Sequence, residues 1–301
     1  MPELPEVETI ARGLAKRVTG DVIESVWLGR KKEPLKSPAP AIAAALEGSR
    51  IANVRRMGKH IVFDLESVGR TPSSANENVA RALLPANGRK VKTPAGKSVR
   101  PTQNSAQWIV HLGMTGSLRV CEPQTEIAKH THAILTLASG RELRFVDPRR
   151  FGRLSVSAEF DATGIEPLEI DLDDFVALFR GRKTPIKSAL LNQNLLRGVG
   201  NIYADESLFR AGIRPRRRAA SITRDQLASL HAALKEVLQE AIALGGSSVS
   251  DYVDADGNEG FFQLQHRVYG REGEPCLVCK TPIKRVVIAG RSSHYCPKCQ
   301  K

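Results

Sequence analysis

The sequence predicts an α+β multidomain chain: an N-terminal antiparallel β-sandwich with a leading helix, then a helical domain, then a C-terminal β-hairpin built around a metal. Three observations predict it. Between Asp21 and Val146 short apolar runs alternate with turn residues, with strict alternation at Ile61, Phe63 and Leu65, the period of strands buried on one face. After Val156 the composition shifts through Gly164-Ile165-Glu166-Pro167 into helix-forming sequence. Four of the five cysteines fall in the last 26 residues, as Cys276-x₂-Cys279 and Cys296-x₂-Cys299.

Composition bounds the function. At 301 residues the chain can bury two cores without disulfides. Its 45 Lys+Arg against 32 Asp+Glu give a formal charge of +13, the footprint of a polyanion partner. No apolar run approaches a membrane span, and the acidic N-terminus lacks the order of a signal peptide. The expectation is a cytoplasmic, nucleoid-associated monomer that binds nucleic acid. In that reducing setting paired cysteines read as metal ligands, while Cys121, standing alone, reads as a core or strand residue.

In chain order, Val7, Ile10, Ala11, Leu14 and Val18 recur at helical spacing and predict a docked amphipathic helix. Strands follow at 22–28, 51–54, 61–65, 108–112, 118–121, 133–137 and 143–146, with a short helix at 39–46. Ser67 to Ala106 breaks the rhythm with four prolines, seven basic residues and one acidic residue. It reads as a basic insertion loop without regular structure, adding non-specific attraction to DNA. Thr184-Pro185 predicts an N-cap and first turn of a helix running to about Asn192. The glycines of Arg197-Gly198-Val199-Gly200-Asn201 predict a tight turn into a second helix that stops before Gly212, a helix-turn-helix geometry able to bring amides to a phosphate. A Thr223/Gln226 capping box opens a longer helix over 224–244. The expected boundaries are a sandwich over 1–156, a linker over 157–170, a helical domain over 171–265 and a metal module over 266–301.

Several stretches carry chemistry. Loss of Met1 leaves Pro2 as a secondary amine beside the Glu3 carboxylate; an α-amino group titrates near 7.7 to 8.0, so it can act as a nucleophile at neutral pH. On the residues alone, Pro5 and three acidic side chains equally suit a helix start. Four thiolates at the C-terminal spacing make a closed, structural zinc site. Asp147-Pro148-Arg149-Arg150-Phe151-Gly152 sets an aromatic among arginines, a fit kit for filling the gap left by an extruded base. Met114, in His111-Leu112-Gly113-Met114-Thr115-Gly116, offers a second wedge, although ordinary packing explains Met114 and Phe151 as well.

PELPEVET, HLGMTGSL, DPRRFG, GVGNIYADESL and GRSSHYCPKCQ together resemble the bacterial formamidopyrimidine-DNA glycosylase family from end to end. The resemblance implies a helix-two-turn-helix domain, a zinc ribbon holding one structural zinc, and double-stranded DNA with oxidised purines bound between the halves. It also implies removal of 8-oxoguanine and formamidopyrimidines followed by strand cleavage through β,δ-elimination. Carried over, Pro2 attacks the sugar C1′ and Glu3 acts on the ring oxygen. Lys59, Asn201 and Arg291 grip phosphates, and Met114, Arg149 and Phe151 fill the void. Lys187 lies near the lesion. Residues 245–263 match a loop over the flipped base, with Ser247 and the amides of Val249, Ser250, Asp251 and Tyr252 reading it. His130 is a DNA contact in the family's pattern, but Thr131 stands where an Asp is usual. Two other readings compete: an endonuclease VIII-like relative for oxidised pyrimidines, and a non-catalytic zinc-ribbon DNA-binding protein.

Overall fold

The computed structural model describes residues 1–68, 105–248 and 260–301. Most of the insertion expected over 67–106, and Val249, Ser250, Asp251 and Tyr252, therefore lie outside the described residues.

The leading helix α1 (Leu4–Val18) is joined to both halves of the molecule. Val7, Ile10, Ala11, Leu14 and Val18 enter the sandwich core, while Leu4 enters the core of the helical domain. Strands β1 (Ile23–Leu28), β2 (Ser49–Met57), β3 (His60–Ser67), β4 (Ser105–His111), β5 (Ser117–Cys121), β6 (Thr131–Leu137), β7 (Glu142–Val146) and β8 (Arg153–Ser157) follow, with α2 (Ala39–Leu46) between β1 and β2. They form two four-stranded sheets, ordered β1-β6-β7-β5 and β2-β3-β4-β8, whose pairs are antiparallel. Trp108, Phe63 and Phe145, all fully buried, fill the space between them. β3 and β4 pair from His60↔His111 to Glu66↔Ser105, so the segment 69–104 connects hydrogen-bonded neighbours. β8 lies beyond the strands expected above, although Arg153-Leu154-Ser155-Val156-Ser157 alternates as a strand does; its Leu154 and Val156 complete the buried face beside β4.

The helical domain comprises α3 (Leu172–Phe179), α4 (Ile186–Leu190), α5 (Asn201–Arg210) and α6 (Arg224–Ala243). Asp171 caps α3 by accepting from the Asp174 amide at 2.8 Å. The expected Thr223/Gln226 box caps α6. The expectation at α4 needs correction: Pro185, not Thr184, is the N-cap, and the helix ends at Leu190. The Thr184 carbonyl is engaged by the Ala219 amide at 2.9 Å, which holds residue 184 in an extended pairing. Between α4 and α5, Gln193 braces the glycine turn, accepting from Gly198 N at 2.9 Å and donating to Val199 O at 2.8 Å. The C-terminal hairpin pairs β9 (Lys284–Ile288) with β10 (Arg291–Tyr295).

A buried ion network ties the halves together. The Arg56 guanidinium donates to Glu8 of α1 at 2.7 Å and to both oxygens of Glu166 at 2.9 and 2.8 Å; Arg197 of the glycine turn reaches Glu166 at 3.4 Å. Forked pairing of this kind offsets the desolvation of the charges and fixes geometry. It holds the strand before Lys59, helix α1 and the glycine turn in one register.

Candidate active site and metal centre

The N-terminal turn is locked between the two halves. Leu4 N donates to Gly198 O at 3.0 Å, and the Glu3 Oε1 accepts from Ile202 N at 3.3 Å at the start of α5. Pro2 and Glu3 are both buried, while Met1 is 45% exposed. Glu3 Oε2 is buried with no hydrogen-bond partner. Burial pushes the Glu3 carboxyl up to about 7, with Lys59 pulling it back and Glu6 adding to the rise. Lys59 is itself lowered, by burial first, with Glu3 opposing and Arg291 reinforcing. Glu3, Lys59 and Arg291 thus share one electrostatic environment, drawn from α1, the β2–β3 turn and the start of β10.

Close approach of Glu3 explains Gly200. A Cβ there would lie 2.0 Å from Glu3 Cδ, a distance no packing adjustment accommodates without moving the carboxyl. Gly200→Ala is expected to retain the fold and the zinc module while lowering base release on the order of 10²-fold, the cost of an ångström-scale misplacement. Single-turnover kinetics beside a thermal melt would check it; wild-type rates would remove Gly200 from the site's design.

Glu6 is the functional-site residue that sequence reasoning missed. Its buried carboxyl accepts from the Tyr203 hydroxyl, from Glu3 N at 2.8 Å and from Ser247 N at 2.8 Å. It therefore positions the residue after the nucleophile candidate and the edge of the 245–263 segment at once. The spacing Glu3-x₂-Glu6 is a helix-start signature, the one available signal, and it points to capping without revealing partners that lie some 200 residues away in sequence. Ser247 is buried, its hydroxyl 3.2 Å from His266 Nε2. Burial lowers His266 to about 4, so the ring is neutral at physiological pH.

The expected wedge residues come together. Met114 and Phe151 are exposed, at 41% and 52%, and the Arg149 guanidinium lies 5.0 Å from the Phe151 ring centre. Asp147, fully buried, clamps the two loops: it accepts from Thr115 Oγ1 at 2.7 Å and from Gly152 N at 2.7 Å. Arg150 takes a left-handed backbone, φ 57°, which costs about 1–2 kcal/mol for a residue with a Cβ and gives the loop its sharp reversal between Arg149 and Phe151. Such large exposed side chains are mounted on an otherwise over-determined scaffold. His130 is exposed, and its carbonyl accepts from the Asp147 amide at 3.0 Å, which places it beside the loop that carries Arg149 and Phe151. Thr131 turns its hydroxyl to the Ala128 carbonyl at 2.7 Å.

The Lys187 side chain is fully buried, pairing with Asp205 at 2.7 Å and donating to Ser292 O at 2.6 Å, within electrostatic reach of Glu3 and Arg291. Asp205 also accepts from Ser293 Oγ at 3.0 Å and His294 N at 2.8 Å. Asn201 Nδ2 donates to Ser292 Oγ at 3.2 Å. These bonds rivet β10 to α5, and with it Arg291, which is exposed.

In the hairpin module the four cysteine sulfurs lie within 4.8 Å of one another, with Cys276–Cys299 at 3.9 Å and Cys279–Cys296 at 3.4 Å. Four thiolates around a tetrahedral zinc at about 2.3 Å would stand ~3.8 Å apart. The donor set fits one zinc ion and leaves no open position, which makes the site structural.

Three family models match the chain: the formamidopyrimidine-DNA glycosylase N-terminal domain over residues 1–154, the formamidopyrimidine-DNA glycosylase H2TH domain over 163–253, and a zinc finger found in FPG and IleRS over 273–301. A formamidopyrimidine-DNA glycosylase of Solibacter usitatus is 45% identical over 306 residues, covering all of both chains. The crystal structure of the MutM (FPG) protein from Thermus thermophilus aligns over 99% of this chain and 98% of its own, with TM-score 0.78 and 39% identity. That of a Lactococcus lactis FPG mutant in complex with Fapy-dG-containing DNA covers 100% of both chains, with TM-score 0.81 and 29% identity. With its interlocked N-terminal turn, glycine turn and four-cysteine hairpin matched over its whole length, the chain belongs to the formamidopyrimidine-DNA glycosylase family.

Proposed function

We propose that the protein is a bifunctional DNA glycosylase and AP lyase of base excision repair that excises 8-oxoguanine and formamidopyrimidines from duplex DNA. The observation that carries it is the buried Pro2-Glu3 turn between the two halves, with a carboxyl raised to about 7 beside Lys59. In this reading the Pro2 amine, freed of Met1, bonds to C1′ as the bond from C1′ to the base breaks, and the proton that the amine gives up neutralises the departing base. The Glu3 carboxyl, protonated below about pH 7, gives its proton to the ring oxygen as the sugar opens and the Pro2 nitrogen becomes an iminium. Loss of the C2′ proton then expels the 3′ phosphate, and a second elimination expels the 5′ phosphate.

Lys59, Asn201 and Arg291 hold phosphates around the extruded nucleotide, while Met114, Arg149 and Phe151 occupy the vacated stack. Ser247, together with the amides of Val249, Ser250, Asp251 and Tyr252, reads the purine. Glu6 and Lys187 position other groups. The division into 1–156, 157–170, 171–265 and 266–301 and a cytoplasmic, nucleoid-associated monomer complete the proposal. The bacterial source of the curated relative supports a chromosomal substrate in that compartment.

The test is free-base release and strand nicking on duplexes carrying either 8-oxoguanine or an oxidised pyrimidine. Release with nicking from the purine duplex is expected. Preference for the pyrimidine duplex would favour the endonuclease VIII-like reading, and tight binding without release would leave a non-catalytic DNA-binding protein.

A further inference from the structure

The helical domain carries a second concentration of positive charge that no step above uses. The segment 182–186 runs antiparallel to 217–220, riveted by Ile186 N to Arg217 O at 2.7 Å, Ala219 N to Thr184 O at 2.9 Å and Ala220 N to Arg182 O at 2.8 Å, with a bridge between Pro185 and Arg218. This brings Lys183, Arg216 and Arg218, all exposed, onto one ledge. Arg217, between the last two, turns the other way: its guanidinium donates to Ser221 O at 2.9 Å and Gln226 Oε1 at 3.1 Å.

Several arginines elsewhere on the surface are neutralised by a carboxylate. Arg12, Arg55, Arg210, Arg224 and Arg271 each meet a carboxylate in an ion pair. Among the described residues, Lys183, Arg216 and Arg218 have no such partner. Holding like charges on a hydrogen-bonded frame without counter-charges raises the energy of the free protein, and a polyanion removes that cost. An ordinary solvated face carries both signs.

Position says which polyanion. Arg216 Nη2 reaches Val287 O of β9 at 3.4 Å, and Val287 pairs with Ser292 of β10, the residue bonded to Asn201 and Lys187. The ledge thus begins about one strand spacing, ~4.8 Å, past the strand that carries Arg291. Lys284, also exposed, continues the charge along β9.

We propose that this ledge is a second DNA-contact surface that takes the phosphate backbone of the same duplex beyond the lesion, on the side of the zinc hairpin. The proposal rests on the DNA-repair reading above. The test uses the zinc-loaded full chain and its Arg216→Ala/Arg218→Ala variant on two lesion duplexes, one ending within a few base pairs of the lesion and one extended on both sides. On the long duplex the variant should bind roughly 10-fold more weakly near physiological salt, and the slope of log affinity against log salt should flatten by about 0.9 for each phosphate lost. Binding to the short duplex and single-turnover base release at saturating enzyme should stay at wild-type values, with zinc content and melting temperature unchanged.

An unchanged slope on the long duplex overturns the proposal, as does an equal loss on both duplexes. If the variant keeps its DNA slope but loses affinity for a polyglutamate probe, the ledge serves an acidic protein and the proposal is wrong. Failure of the wild-type protein to bind or excise from either duplex would instead strike the proposed function itself, so the two failures are distinguishable.

Discussion

A protein that retains Met1 is expected to lose all covalent capture on lesion DNA, while the processed protein is trapped by borohydride through its first residue. The reason is chemical: with Met1 in place the Pro2 nitrogen is a tertiary amide with no lone pair to give. The turn that holds it depends on Leu4 and Gly198 and should persist, so DNA affinity is expected to change little. Peptide mapping of the adduct decides the matter, and trapping at Lys59 or another lysine would remove Pro2 from the mechanism.

Glu3→Gln belongs to the same experiment. Loss of a positioned acid typically slows a step about 10²–10⁴-fold, so base release should fall by that order with DNA binding spared. The sign of the pH dependence follows from the raised carboxyl. Its folded pKa, about 7, stands above the ordinary 4.5, so the folded protein holds an extra proton between these values. The associated stability, on the order of 3 kcal/mol at most, is fully present below pH 4.5 and is lost as pH rises through 7. Base release should accordingly decline above about pH 7 in the wild type, and residual release by Glu3→Gln should lack that limb. A wild-type profile flat from pH 6 to 8 would contradict the assignment.

Cys296→Ser, or removal of zinc by a chelator, is expected to unfold the hairpin module and abolish tight DNA binding while the sandwich stays folded. Metal binding is worth on the order of 10 kcal/mol or more to a module of this size, and the apolar cluster beneath it is small: Phe209, Val268 and Ile283 with Cys276 and Cys296. No comparable core remains once the metal is gone. Arg291 would lose the strand that holds it, although Asp205 and Lys187 would remain on the helical side. Circular dichroism and a duplex-binding titration of the metal-free protein would check this; undiminished affinity would mean that the hairpin is not part of the DNA site. Arg291→Ala supplies the matched control, weakening binding with the module still folded.

Much of this arrangement is local in origin and could be read without coordinates. Alternation at Ile61, Phe63 and Leu65 specified a half-buried strand, and the Thr223/Gln226 box specified where α6 begins, because each depends on neighbours within a few residues. The cysteine spacing determined a zinc site for the same reason. The resemblance to the family proposes Pro2, Glu3, Lys59, Asn201 and Arg291 as one set of site residues. Tertiary structure alone decided what those residues touch. Glu6 meets Tyr203 and Ser247 across long stretches of chain, Arg56 joins Glu8 to Glu166, and Lys187 pairs with Asp205. A lysine in a motif has the same composition whether its amine faces solvent or a buried carboxylate; the difference lies in desolvation, which is a property of the packed interior. Likewise Gly200 is legible in sequence as a turn residue, and only the 2.0 Å approach of the Glu3 carboxyl gives the physical reason that no side chain fits there.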